Sequence, residues 1–226
     1  MALVIVTPPT VEPISLAEAK SHLRVDSDFT ADDNLIGGLI VAARQEAEQI
    51  CRRALIKQTW KLAIDQFPAP NMNISSANWY GPQWGIAPGP LSVVRPEGTS
   101  GYEIYLPNAP LIRVVSVEYV DPTGVTQTLD AAAYKVDSFS QPARLVPAYG
   151  TTWPGARNEI NAVIVTYECG YGTAPTDVPQ PIRQWMYLRI GALYENRESD
   201  VIVQRGALES LPFVAGLLTP YRVLTF

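Results

Sequence analysis

The tightest constraint on the fold is a change of hydrophobic period along the chain. Between residues 32 and 53 apolar side chains recur at helical spacing. From Gln58 they alternate, and after Gly170-Tyr171-Gly172 the helical spacing returns. A chain that runs helix, strand, helix within 226 residues is expected to fold as α+β, with helical parts packed together around a strand-rich insertion. The predicted architecture is a helical bundle built by N-terminal and C-terminal helices, with an inserted antiparallel β sandwich or barrel-like region. Three segments follow: an arm and helices over 1–57, a β region over 58–173, and helices with an apolar tail over 174–226.

Residues 1–14 read as an extended arm, because Pro8, Pro9 and Pro13 block a helix. Ser15 and Glu18 have the spacing of a capping box and start a short helix, with Leu16, Ala19 and Leu23 on one face. Thr30 or Asp32 is placed to cap the next helix, 32–53. Its stripe is predicted as Leu35, Leu39, Ala43, Ala47 and Ile50, widened by Ile36 and Ile40. Arg44, Gln45, Glu48, Gln49 and Arg52 lie mostly opposite. Gly37-Gly38 inside it reads either as close packing of a neighbour, the favoured reading, or as a hinge. A third helix is expected over 181–198, and a short one over 210–218 ended by Pro220.

The β region begins with alternation over 58–65. Strands are expected at 111–120, 125–129, 134–137, 143–147 and 162–168, with shorter ones at 91–94 and 102–106. Asp121-Pro122-Thr123-Gly124 is a turn sequence. Residues 66–110 hold eight prolines, five glycines and three charged side chains, a composition that excludes a plain helix and marks a long connection. Trp79, Tyr80 and Trp84 sit inside it. They suit an aromatic anchor for a protein partner or local loop packing, with a sugar-stacking platform as the less favoured reading.

Composition narrows the function. With 17 basic and 22 acidic side chains the net charge is −5, and the three segments carry −2, −3 and 0. No segment is a basic patch of the kind that grips duplex DNA. No apolar run reaches the roughly 18 residues of a membrane span, and MALVIVTPP lacks the basic region of a signal peptide. Arg outnumbers Lys 13 to 4, which fits bidentate bridges between subunits or a biased genome equally well. Cys51 and Cys169 lack metal-like spacing and read as reduced core residues, a disulfide between them being the lesser alternative.

Catalytic constellations are thin. His22 is the single histidine, which removes most Ser/His/Asp, Cys/His and zinc arrangements. It reads as a surface or helix-packing residue, since no nucleophile is nominated beside it. Asp26, Asp28, Asp32 and Asp33 lack the spacing and glycine of a calcium loop and read as capping and solvated acids. There is no P-loop or dinucleotide fingerprint. No cofactor, catalytic residue or metal site is expected, and the chain is read as a non-enzyme.

The order of motifs carries more. MALVIVTPPTVEPISLAEAKSHLRVD, an acidic loop and DDNLIGGLIVAARQEAEQICRRALIKQTWKL open the chain. PLIRVVSVEYVDPTGVTQTLDAAAYKVD, PARLVPAYGTTWPGARNEINAVIVTYECGYG and DVPQPIRQWMYLRIGALYENRES follow. In order and spacing these resemble the head–tail connector (adaptor) proteins of tailed bacteriophages, prophages and gene transfer agents. The likeness covers all but about 68–101.

The resemblance implies a structural subunit of the virion neck, assembled in the host cytoplasm into a ring, usually of about twelve copies. The ring would sit beneath the portal protein, extend the DNA channel and dock the tail-completion or stopper protein. DNA would pass without specific binding, and no membrane is involved. The apolar C-terminal stretch with Leu208, Leu211, Phe213, Leu217, Leu218, Tyr221 and Phe226 would, by the resemblance, dock on the portal. Packing on its own bundle is the equal alternative. Trp79, Tyr80 and Trp84 are candidates for a subunit or tail contact. The alternative function is a carbohydrate- or surface-binding module that uses the aromatic loop 79–84.

Overall fold

A computed structural model describes residues 1–68, 102–196, 214 and 216–223. The helices are α1 (Leu16–Leu23), α2 (Asp33–Cys51) and α3 (Gln180–Glu195). The strands are β1 (Ala2–Thr7), β2 (Gln58–Ile64), β3 (Ile104–Leu106), β4 (Leu111–Val120), β5 (Thr126–Thr128), β6 (Tyr134–Asp137), β7 (Ala143–Pro147) and β8 (Val163–Cys169). The α+β order read from the period change holds. The strand expected at 91–94 lies outside the described residues, as do 210–213 and 215 of the helix expected at 210–218, of which 214 and 216 are helical and 217–218 form a turn. Pro220 falls inside a 3-10 turn, Thr219–Tyr221.

α1 starts as its sequence dictates. The Glu18 amide donates to Ser15 Oγ at 3.3 Å, and the Ser15 amide donates to Glu18 Oε2 at 2.8 Å, so two otherwise orphaned donors are satisfied. Arg24 ends the helix at φ 58, with its N–H reaching the Lys20 and Ser21 carbonyls.

The start of α2 differs from expectation. Asp32 occupies the cap position without a side-chain cap bond. Its Oδ2 accepts instead from the Tyr194 hydroxyl of α3 at 2.6 Å, a tertiary bond that outcompetes the local one.

The buried stripe of α2 is also displaced by one residue. Ile36, Ile40, Ala43, Arg44, Ala47 and Cys51 face inward, while Leu35 is 38% exposed. The inward face meets Ile182, Trp185, Met186 and Ile190 of α3, and Ile14, Ala19, Leu55, Ile56, Val178 and Leu218 close the core. Each buried Leu or Ile adds about 1.5–3 kcal/mol. The favoured reading of Gly37-Gly38 is overturned. A Cβ built on either meets no heavy atom within 4 Å, so none of the described residues packs closely there.

The arm at 1–14 is more structured than expected: its first part, β1, pairs with β2. A five-stranded sheet of order β1-β2-β8-β4-β5 faces a three-stranded sheet of order β3-β7-β6, and every strand pair is antiparallel. Leu62, Val117, Val163, Val165 and Tyr167 from the larger sheet meet Ile104, Leu106, Ala143 and Leu145 from the smaller. The result is an open sandwich rather than a closed barrel. Cys51 lies in the helical core and Cys169 in the sandwich core, both free thiols. Burial raises both pKa values, that of Cys169 to about 12.

Candidate interaction surfaces

Glu48 joins the bundle to the sandwich. Its Oε1 accepts from the Leu55 amide at 2.9 Å and from Gln58 Nε2 at 2.6 Å, and its Oε2 from Arg44 Nη1 at 2.7 Å. Arg44 also donates to Glu12 at 2.8 Å, and Trp60 Nε1 to Gln58 Oε1 at 3.0 Å. A polar seam therefore runs from the arm through α2 into β2. Desolvation is the largest influence on Glu48 and pushes its pKa up against these bonds. Arg44 and Glu48 were expected on the outer face of α2, but helical periodicity alone cannot reveal the strand that covers them.

Arg53, 8% exposed, is a second tie. It donates to the Tyr221 carbonyl and to Gln141 Oε1, and its guanidinium lies 6.0 Å from the Tyr171 ring centre. The Val223 amide reaches the Cys51 carbonyl at 3.0 Å. The described part of the C-terminal stretch thus runs along the end of α2. Leu218 is buried in the helical core, and Leu217 and Tyr221 pack on it half-buried. Leu208, Leu211, Phe213 and Phe226 lie outside the described residues.

Trp79, Tyr80 and Trp84 also lie outside the described residues, but the points where their loop leaves and rejoins the fold are fixed. Trp153 stacks on Phe67 with ring centres 5.0 Å apart and planes at 11°. Its Nε1 donates to the Tyr102 carbonyl at 2.8 Å. Ile64 pairs with Val163, and Gln58 at the other end of β2 follows the bundle, so the loop is rooted at the end of the sandwich away from the helices. Tyr149, Ile160 and Val125 are exposed large side chains in the connections at that same end.

Phe139 is 96% exposed on a tightly built turn between β6 and β7. Asp137 accepts from the Phe139 amide at 3.0 Å, from Ser140 Oγ at 2.7 Å and from Arg144 Nε at 2.8 Å. The Ser140 hydroxyl first, and then Arg144, hold the Asp137 pKa at about 2. A preorganised turn that presents a phenyl ring to water has the form of an interface anchor.

The outer face of the larger sheet carries Glu168, to which Arg113 donates at 2.7 and 3.1 Å, with Lys57 Nζ 3.1 Å away. These donors, Arg113 foremost, hold Glu168 at about 2.

His22 lies on α1 with its ring 5.2 Å from that of Tyr187. It lines an open groove with Ala17, Glu18, Ser21, Gln184 and Tyr187, none of which forms a nucleophile–base pair with it. Of the acids at 26–33, Asp33 lies 2.5 Å from Lys20, which also donates to the Ser27 and Phe29 carbonyls. Among the described residues no group of three or more His, Cys, Asp or Glu side chains could hold a metal ion. None of the described helices is long and apolar enough to cross a membrane.

The sequence reading missed Glu48, Arg53, Trp153 and Phe139. The turn at 137–142 carried a signal in Asp137, Ser138 and Ser140 around an aromatic. Trp153 carried none, because its partners are distant in the chain.

The fold defines an α+β protein in which a helical core and an open two-sheet sandwich are tied together by the Glu48 and Arg53 contacts. Residues 13–76 match the family model described as Phage gp6-like head-tail connector protein. No curated protein matches the chain. Among solved structures, a chain in the "Virion of native gene transfer agent (GTA) particle" matches with TM-score 0.70 and 21% identity. A chain in the "Neck of empty GTA particle computed with C6 symmetry" matches at 0.69 and 23%. One in the "Neck of native GTA particle computed with C12 symmetry" matches at 0.64 and 20%. Each alignment covers 99% of this chain and 96% of the other. The head–tail connector resemblance read from the motifs is borne out, and the comparisons point to a structural protein, not an enzyme.

Proposed function

We propose that this chain is a connector subunit of the neck of a phage or phage-like particle, assembled in the host cytoplasm as a ring of about twelve copies between portal and tail. The observation that carries the reading is the fold match to neck chains over nearly the whole of both partners, together with the connector family model over residues 13–76. A cyclic ring needs two different faces on each subunit. The separate surfaces at the α1–α3 groove, the Phe139 turn and the far end of the sandwich provide such faces.

The ring extends the DNA channel. A net charge of −5 with no basic segment keeps phosphates from being gripped, so the duplex slides past the subunits. The apolar stretch from Leu208 to Phe226 docks on the portal, anchored to its own bundle by Leu218. Trp79, Tyr80 and Trp84, on the loop rooted at the far end of the sandwich, meet a neighbouring subunit or the tail-completion protein.

The test is negative-stain microscopy of the purified chain with and without the portal protein of the same particle. Rings in either preparation, seated on portal in the second, are expected. Monomers alone in both would sink the reading.

A further inference from the structure

We propose that β1 is an exchanged arm: in the ring, residues 2–7 of one subunit pair with the β2 edge of its neighbour, in the register that one chain alone displays. The proposal rests on the ring reading above and names the contact that links its subunits.

The β2 edge accepts one particular strand. Ala2 pairs with Ala63, Leu3 with Leu62, Val4 with Lys61 and Ile5 with Trp60. Yet all six residues of β1 are exposed, and none belongs to either hydrophobic core. Among the described residues the strand is held by its backbone ladder and joins no core cluster, so the sandwich keeps that core when the strand leaves.

The chain becomes fixed again only at Glu12. That side chain takes a 2.8 Å bond from Arg44, the Pro13 carbonyl takes one from Arg183 at 3.0 Å, and Ile14 is fully buried. Between strand and anchor lie Pro8, Pro9, Thr10 and Val11. Prolines favour extended backbone and stiffen such a connection.

Reach sets the geometry of the exchange. The four connecting residues extend up to about 14 Å, so the neighbour's β2 edge stands within that distance of the Glu12 anchor, and the strand itself lies wholly along that edge. Exchange preserves every β1–β2 hydrogen bond, so the closed monomer and the linked ring differ only in the hinge and in whatever new surface they bury.

That surface is apolar: Leu3, Val4, Ile5 and Val6 are all exposed in the single chain, and β1 bears no charge. Monomeric proteins blunt an edge strand with charges or cover it. At a subunit boundary the neighbour supplies that cover.

The experiment uses the full chain with Val4→Cys and Lys61→Cys together. These positions face each other in an antiparallel pair, at a Cα separation of about 4.5–5.5 Å, within disulfide range. Assembled rings are oxidised and run on a denaturing gel without reductant. A ladder of covalent multimers is expected, absent from either single variant. Rings that release only internally bridged monomers would overturn the exchange and leave the ring reading intact.

A second variant lacking residues 1–7 is expected to keep its circular dichroism spectrum as a monomer and lose rings at least ten-fold. Undiminished rings from it would also overturn the exchange. If the unaltered chain forms no ring even with portal, the ring reading itself fails and this contact with it.

Discussion

The indole of Trp153 lies flat on Phe67, 5.0 Å between ring centres at 11°, and its Nε1 holds the Tyr102 carbonyl at 2.8 Å. One side chain thereby fixes both roots of a loop that leaves after Pro68 and returns before Tyr102. Trp153→Ala removes the stack and the bond, and for this partly buried ring should cost about 2–4 kcal/mol. Trp153→Phe keeps the stack and should cost about 1 kcal/mol. Urea unfolding of both variants measures the difference.

Glu48 is an acceptor at a junction where its charge is a burden. Glu48→Ala strands the Leu55 amide and Gln58 Nε2, and each buried donor left without a partner costs about 1–3 kcal/mol. Glu48→Gln keeps an acceptor oxygen, and Arg44 retains Glu12. It should lie within about 1 kcal/mol of the parent at neutral pH. Because burial raises the pKa of Glu48, its own contribution to stability grows as pH falls through that pKa. Thermal melts of the two variants across pH 4–8 check both statements.

Glu168 and Asp137 act in the opposite sense. Both are held at about 2 in the folded chain, below ordinary values of 4.5 and 3.8. Their contribution is present in full above those ordinary values and fades as pH falls toward 2. Acid titration of the parent should show a loss of stability in that window. Glu168→Gln and Asp137→Asn should each flatten it while lowering stability at pH 7. An acid limb unchanged in both variants would contradict this account.

Glycines separate open from crowded positions. Among the described residues a Cβ at Gly37 or Gly38 meets no heavy atom within 4 Å, and Gly37→Ala and Gly38→Ala should each raise stability by about 0.5–1 kcal/mol through helix propensity. At Gly170, φ is +129 and a Cβ would stand 2.6 Å from the Ile56 carbonyl oxygen. Gly170→Ala should therefore lower the melting temperature sharply and reduce soluble yield. Calorimetry of the three variants tests the contrast.

Leu218 is fully enclosed by the bundle. Leu218→Ala should cost about 2–4 kcal/mol. Tyr221→Ala, half-buried at the surface, should cost less and, on the portal-docking reading proposed above, weaken portal binding more. Denaturation together with portal co-sedimentation distinguishes anchor from docking surface.

Features that depend on near neighbours were legible in the amino-acid order. The Ser15–Glu18 box, the Asp121 turn and the strands Leu111–Val120, Tyr134–Asp137 and Ala143–Pro147 follow from capping, turn chemistry and alternation, all short-range. The order of those elements was enough to suggest the connector family. Tertiary structure decided the rest. It turned Asp32 from a cap into a partner of Tyr194, moved the buried stripe of α2 from Leu35 to Ile36, and drew Arg44 and Glu48 inward. It also brought Trp153 to a loop whose roots are about 50 and 90 residues earlier in the chain. Periodicity says which residues share a face, but not which element covers that face. That choice belongs to burial, which is settled only when distant segments meet.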